Sequence, residues 1–379
     1  LDPLTHTLTG AALADAGLRE RTPLATATLV IGANLPDVDA FTYFVSPDVA
    51  LYWRRGWSHG VVAWIVLPLL LAGAVLLYDR WWRRRRRPDA APARPGPLLL
   101  LAGLGVATHP FLDWLNTYGI RLLMPFDDRW YYGDILFIVE PWLWLILGGA
   151  TFLNHSATWR SRAAWGVLAV LTSLAVLGSA PSTAVRVLWL AGLAAVVAVR
   201  VAAGRGAESR RRSGVLASRG AVAATVLYVA ALGAADAVAA GDVRDQLGAR
   251  GITVEELMVG PLPANPLRRD VVAVTPDGYR LGVYDWLEQP RFRLLDRTLP
   301  RLEPSPPVTA ALGAACVRGM VVWMRFPTAE VEERPDGGYD VHLLDVRYAR
   351  RRDGGFGSDS VRVTESLEPR CGGTGDESR

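Results

Sequence analysis

Residues 60–78, GVVAWIVLPLLLAGAVLLY, carry no charge, and DRWWRRRRR follows at once over residues 79–87. A helix crosses a bilayer with roughly 20 mostly apolar residues, so this stretch predicts a transmembrane span. Tryptophan belongs at the lipid–water boundary and arginine clusters collect on the cytoplasmic side. The run of arginine at 83–87 therefore marks the inner end of the helix. His59, at the opposite end, is expected to face outward.

The same reading extends along the chain. Residues 98–112 form a second apolar stretch, interrupted at His109-Pro110. Residues 116–134 are polar and aromatic and read as an interfacial loop. Further spans are predicted at 135–153, at 163–185 with Pro181 ending its helix, at 187–199 between Arg186 and Arg200, and at about 220–240. The segment 205–219 holds a second basic cluster, Arg210-Arg211-Arg212. Alternating these spans places every arginine cluster on one side, and His59, His109 and Asp113 on the other. The tail from residue 241 then lies outside the cytoplasm, where Cys316 and Cys371, the two cysteines, are chemically free to pair.

Composition agrees with a membrane part joined to a water-facing part. Hydrophobic residues make up 51% of the 379, high for a soluble protein and low for a chain that is membrane throughout. Arginine supplies the positive charge in short clusters beside apolar runs, which reads as topology and argues against a nucleic-acid face. The wealth of Arg, Ala, Leu, Val and Gly suits a GC-rich bacterial genome. Asp2, His6, Asp15, Arg19 and Glu20 are wrong for the apolar core of a cleavable signal. The tail carries alternating runs at 271–274, 279–286, 319–324 and 339–346, with turns such as Pro276-Asp277-Gly278. These are strand and hairpin signals. The fold expected is mainly α: a polytopic helical membrane domain with a small C-terminal β-rich extramembrane domain. Its divisions fall at 1–150, 151–240, 241–365 and a disordered end at 366–379.

Three of the five histidines fall in four short groups that together also bear four carboxylates. These groups are Asp2-Pro3-Leu4-Thr5-His6, Asn34-Leu35-Pro36-Asp37-Val38-Asp39, Arg54-Arg55-Gly56-Trp57-Ser58-His59-Gly60 and Thr108-His109-Pro110-Phe111-Leu112-Asp113. Proline fits the first turn of a helix, so Thr108 or His109 would cap a helix beginning at Pro110. His109 and Asp113, four apart, then share a face, with Asn116 near the same line. The plainer reading of Thr108 and His109 is capping alone, that of Asp37 and Asp39 is a loop turn, and that of His59 is an interfacial cap. His155 and His342 lack carboxylate company and read as structural.

A set made of His6, Asp37, Asp39, His59, His109 and Asp113 suits Zn²⁺ better than Mg²⁺ or Ca²⁺, which prefer oxygen shells. Mn²⁺ or Fe²⁺ are alternatives, and a shared carboxylate could bridge two ions. Such an ion activates water for hydrolysis. Asp37 or Asp39 could accept the proton, and Arg55 could hold an anionic substrate or anchor at the interface. Ser58, Asn116, Asp128, Asp134 and Glu140 are candidates for support around the ligands.

The four motifs, kept in this order over about residues 1–150, resemble the bacterial membrane-bound metal-dependent hydrolase family, of the LexA-binding, inner-membrane-associated type. The stretch from Asp128-Arg129-Trp130 to Glu140-Pro141-Trp142 also resembles it, with Glu140 where Asp is expected. The resemblance implies a multi-pass protein of the bacterial inner membrane and a metal-dependent hydrolase activity. A more distant likeness, to zinc-dependent phospholipase C and single-strand nucleases, implies that His6, one of Asp37 and Asp39, His59, His109 and Asp113 are ligands. Asp113 would bridge two ions. Those enzymes add two further histidines and a glutamate after this motif; here the membrane part offers only His155 as a further histidine, on the other side by the topology above, so one or two ions are expected. The implied substrate is a phosphoester, lipid-linked or small, with membrane lipid as a partner and no nucleic acid. The competing readings are a non-catalytic binding protein with a structural metal, and a transporter using Glu140 and Asp236.

Overall fold

Asp2 starts the first helix. Its carboxylate accepts from Thr5 N at 2.9 Å and from Thr5 Oγ1 at 2.8 Å, and Pro3 takes the first helical position, where no amide donor is lost. In this computed structural model the helix is Pro3–Asp15 (α1). It is followed by Ala25–Gly32 (α2), Pro47–Trp53 (α3), Ala63–Tyr78 (α4), Pro95–Trp114 (α5), Pro141–His155 (α6), Trp159–Gly178 (α7), Thr183–Ala202 (α8) and Ala207–Gly248 (α9). The structure describes residues 1–179, 182–202, 207–348 and 356–371, with backbone alone for 207–212. Pro181 as a helix end, the Arg210–Arg212 side chains and the tail 372–379 lie outside the described residues.

Among the described residues, five helices are long and apolar enough to cross a membrane: Ala63–Arg86, Pro95–Trp114, Trp159–Gly178, Thr183–Ala202 and Ser213–Gly248. The span expected at 135–153 is not among them. Its helix begins only at Pro141 and has 15 residues, short of the roughly 20 needed. The preceding residues are held instead as a loop, with Ile135 N and Leu136 N both bonded to Leu115 O at 2.9 Å. The expected interruption at His109-Pro110 is also absent. Helix α5 runs unbroken through Pro110, so Thr108 caps nothing and its hydroxyl donates to Gly105 O at 2.7 Å. A proline inside a helix forfeits one backbone bond, a loss that packed neighbours in a membrane domain can offset.

The chain divides into two compact units. One comprises Leu1–Val38, Arg55–Ala237 and the hairpin tip Gly260–Arg268; the other comprises Asp39–Arg54, Val238–Val259 and Arg269–Arg379. In the first unit, α1, α2 and α5 meet backbone to backbone. A Cβ built on Gly10 would stand 2.8 Å from Leu29 O, and one on Gly105 would stand 2.9 Å from the same oxygen. Apolar helices in lipid gain little from burying apolar surface, so small residues that allow close contact drive their packing. Around this junction Leu71, Ala72 and Val75 pack on Leu98 and Ala102, and Leu8 and Ala12 pack among Leu112, Leu143 and Leu147.

The second unit carries two antiparallel four-stranded sheets. The first contains β1 (Glu256–Leu262), β2 (Asn265–Thr275), β3 (Gly278–Asp285) and β4 (Phe292–Leu299); the second contains β5 (Pro327–Glu333), β6 (Tyr339–Asp345), β7 (Ser358–Val363) and β8 (Pro369–Arg370). Three of the four expected alternating runs fall in β2, β3 and β6. The fourth, 319–324, is instead the helix Arg318–Trp323. A short apolar run fits a buried helix or strand equally by periodicity. Here the Asp48 carboxylate decides, accepting from Gly319 N at 2.6 Å and Met320 N at 3.2 Å at the start of that helix. Cys316 and Cys371 form a disulfide. Trp323 is fully buried and stacks under the Arg347 guanidinium at 4.6 Å, which is paired with buried Asp345 at 2.7 Å.

Replacing Gly105 by Val is expected to destabilise the first unit by about 1–3 kcal/mol through overpacking. A fall in the apparent melting temperature of the detergent-solubilised protein measures it. Gly103→Ala, where an added Cβ meets nothing within 4 Å, should leave that temperature unchanged.

Candidate metal centre

The glycine contacts place the histidines. His6 lies one turn before Gly10 on α1, and His109 lies one turn after Gly105 on α5. Both rings reach the space beside the end of α2, where they stack with centroids 3.7 Å apart. His59 comes from the turn 56–60, in which Gly56 O accepts from His59 N at 3.0 Å and Gly60 N at 2.8 Å. Asp113 is the next turn of α5 after His109. Asp37 lies in the 3₁₀ segment Leu35–Phe44 that follows α2.

Asp37, His59, His109 and Asp113 each offer one ligand atom, and all four atoms lie within 4.8 Å of one another. Asp113 is the hub. Its Oδ2 is 2.9 Å from Arg55 Nε, 3.3 Å from His59 Nε2 and 3.6 Å from His109 Nε2. Its Oδ1 is 3.3 Å from His6 Nε2 and also meets the Leu1 nitrogen. His6, His59, His109 and Asp113 are wholly buried, whereas the Asp37 side chain keeps 16% exposure.

The donor chemistry can be tested against a cation. His109 Nδ1 lies 2.7 Å from Ala33 O. A carbonyl can only accept, so Nδ1 carries a proton, and in the neutral form of the ring Nε2 presents its lone pair. That Nε2 makes no hydrogen bond and faces Asp37 Oδ1 at 3.7 Å and Asp113 Oδ2. A lone pair turned toward two carboxylates is repelled unless a proton or a metal cation lies between them. A metal ligand whose other ring nitrogen is fixed by a carbonyl is the usual support arrangement. His59 Nδ1 lies 2.9 Å from Ser58 Oγ, a hydroxyl that can donate or accept there. The residues present therefore fit a divalent ion with two imidazole and two carboxylate ligands, and His6 stands at the edge of the set.

The other sequence candidates have different surroundings. Asp39 belongs to the second unit, 3.7 Å from Arg54 Nε, and is not one of the four. Arg55 is buried against Asp113, donates from Nη1 to Asn116 Oδ1 at 2.9 Å and Gly119 O at 3.3 Å, and lies 4.4 Å over the Tyr118 ring. Asn116 also accepts from Tyr118 N at 2.8 Å. Ser58 and Asn116 thus support the centre. Asp128 is exposed, and Asp134 is half-buried at a positive φ of 56°. Glu140 is buried and accepts from Tyr228 OH at 3.1 Å. None of these three is in the group of four. His155 pairs with Asp15 at 2.9 Å and His342 with Ser360 at 2.8 Å. Sequence reading missed the Ala33 carbonyl and Tyr118. Nothing in a sequence marks a backbone carbonyl, but Tyr118 stands two residues beyond Asn116.

The helices and this centre define a polytopic membrane protein with a candidate metal-binding site. Residues 1–186 match the family model described as YdjM inner membrane protein, which supports a relation to a bacterial inner-membrane family. No curated protein and no solved structure matches the chain.

His109→Ala and Asp113→Asn are each expected to lower bound metal by at least about tenfold, read by elemental analysis of purified protein. Asp39→Asn should leave metal content at the wild-type level. Equal loss in all three variants would remove the distinction drawn between Asp37 and Asp39.

Proposed function

We propose that this chain is an integral-membrane metal-dependent hydrolase acting on a phosphoester, lipid-linked or small. The observation that carries the reading is the His109 ring, held by Ala33 O at Nδ1 with Nε2 directed at Asp37 and Asp113. When bound, a divalent ion such as Zn²⁺ supplies Lewis acidity toward the ester and toward water. Arg55 fixes the Asp113 carboxylate, and its donors to Asn116 and Gly119 hold it in place. That use of the guanidinium favours orienting Asp113 over binding substrate. Asp37, the one ligand candidate with exposure, is the group suited to take a proton from water. Water oxygen bonds to phosphorus, the ester P–O bond breaks, and the leaving oxygen is protonated.

A second reading, a closed structural metal site, draws on the burial of three of the four donors. An open coordination position separates the two. Purified, metal-loaded full-length protein is expected to hydrolyse p-nitrophenyl phosphate or its diester. Asp37→Asn should reduce turnover about 10²–10⁴-fold, the usual share of a general base. Protein that holds metal firmly yet turns over no monoester, diester or phospholipid would establish the structural reading.

With Arg83–Arg87 inside, alternation of the five long spans alone returns the tail to the cytoplasm; this proposal places it outside, which requires the 15-residue helix α6 to cross as well. The Cys316–Cys371 disulfide supports that side, since such bonds persist in oxidising compartments. A phosphatase reporter active only in the periplasm, fused after residue 300, should be active; an inactive fusion of normal abundance reverses the orientation.

A further inference from the structure

A second feature of the first unit is a cavity of about 340 Å³ bounded by α1, α6, α7 and α8. Its wall is almost entirely apolar, formed by residues such as Leu8, Gly148, Phe152, Trp165 and Val196, and among the described residues Arg162 is the one charged residue lining it. The metal centre lies on the other side of α1. Leu4 and Leu8, four apart, face the cavity, while His6, between them in sequence, faces Asp113.

The surroundings indicate an occupant. Helices α7 and α8 are candidate spans with only 11% of their apolar windows buried by the rest of the chain, so lipid must supply the remaining contacts. The lining along α7 runs from Arg162 to Thr172. Ten residues of helix rise about 15 Å, half of a hydrocarbon core of about 30 Å. The cavity therefore has the depth of one leaflet, with a guanidinium at the end where α7 begins. Arginine at such a level matches a phosphate, which it binds through paired charge-assisted hydrogen bonds.

We propose that this cavity binds one anionic glycerophospholipid, with an acyl chain between α6, α7 and α8 and its phosphate at Arg162. The site is separate from the metal centre and independent of any activity there. Two substitutions isolate its two halves. A Cβ built on Gly166, which lines the cavity, meets nothing within 4 Å, so Gly166→Phe can occupy the space without moving the backbone. Arg162→Gln removes the charge and leaves the apolar wall intact.

The test equilibrates full-length protein in detergent with equal phosphatidylglycerol and phosphatidylcholine, washes it, and counts retained lipid by native mass spectrometry. Wild type is expected to keep one phosphatidylglycerol per chain in preference to phosphatidylcholine. Gly166→Phe should fall to the background of a detergent blank. Arg162→Gln should lose the preference by about tenfold, as for a charged hydrogen bond. Ala169→Phe, at a second lining position, serves if Gly166→Phe elutes as aggregate. Equal retention of both lipids by wild type would overturn the proposal. So would undiminished lipid in the filled variants, or a dimer that excludes lipid from the cavity.

Discussion

A carboxylate removed from water costs several kcal/mol unless its oxygens are paired and hydrogen-bonded. Asp113 is wholly buried, and the surrounding architecture answers that cost. Arg55 approaches one oxygen, His6 the other, and His59 and His109 stand within reach. These partners come from α1, from the turn before α4 and from α5 itself. The carboxylate therefore constrains where three separate segments pass, and the centre and the helix packing are one problem.

Small residues solve it. Gly10 and Gly105 both press on the Leu29 carbonyl, so α1 and α5 are held to the same turn of α2. One helical turn from each glycine stands a histidine, and one residue beyond α2 is the carbonyl that orients His109. The helix junction thus fixes distance, while Ala33 O fixes the tautomer. Function read from the site rests on that tautomer more than on the mere count of imidazoles. An imidazole free to rotate would satisfy itself with the nearest donor.

The second unit shows a different logic. Its two sheets follow alternation and turn chemistry, but one helix is imposed from outside its own segment. Asp48 supplies the acceptor for the amides of Gly319 and Met320 in Arg318–Trp323, from 271 and 272 residues away by number. The buried Asp345–Arg347 pair over Trp323 then packs that helix against the core.

The apolar runs and the four motifs were legible in the sequence because hydrophobic length and residue chemistry are local properties. They sufficed for the membrane class, for the β-rich tail, and for the candidates His6, Asp37, His59, His109 and Asp113. What the sequence could not decide was non-local. Pro110 reads as a helix start, yet α5 passes through it, because neighbouring helices compensate for the missing bond. Residues 135–140 are as apolar as a span but are captured by Leu115 O. Asp37 and Asp39 are nearly equivalent as letters, and only the fold sends one to the histidines and the other to Arg54. Residue type sets which groups can bind a cation, whereas their convergence depends on backbone contacts between segments distant in the chain.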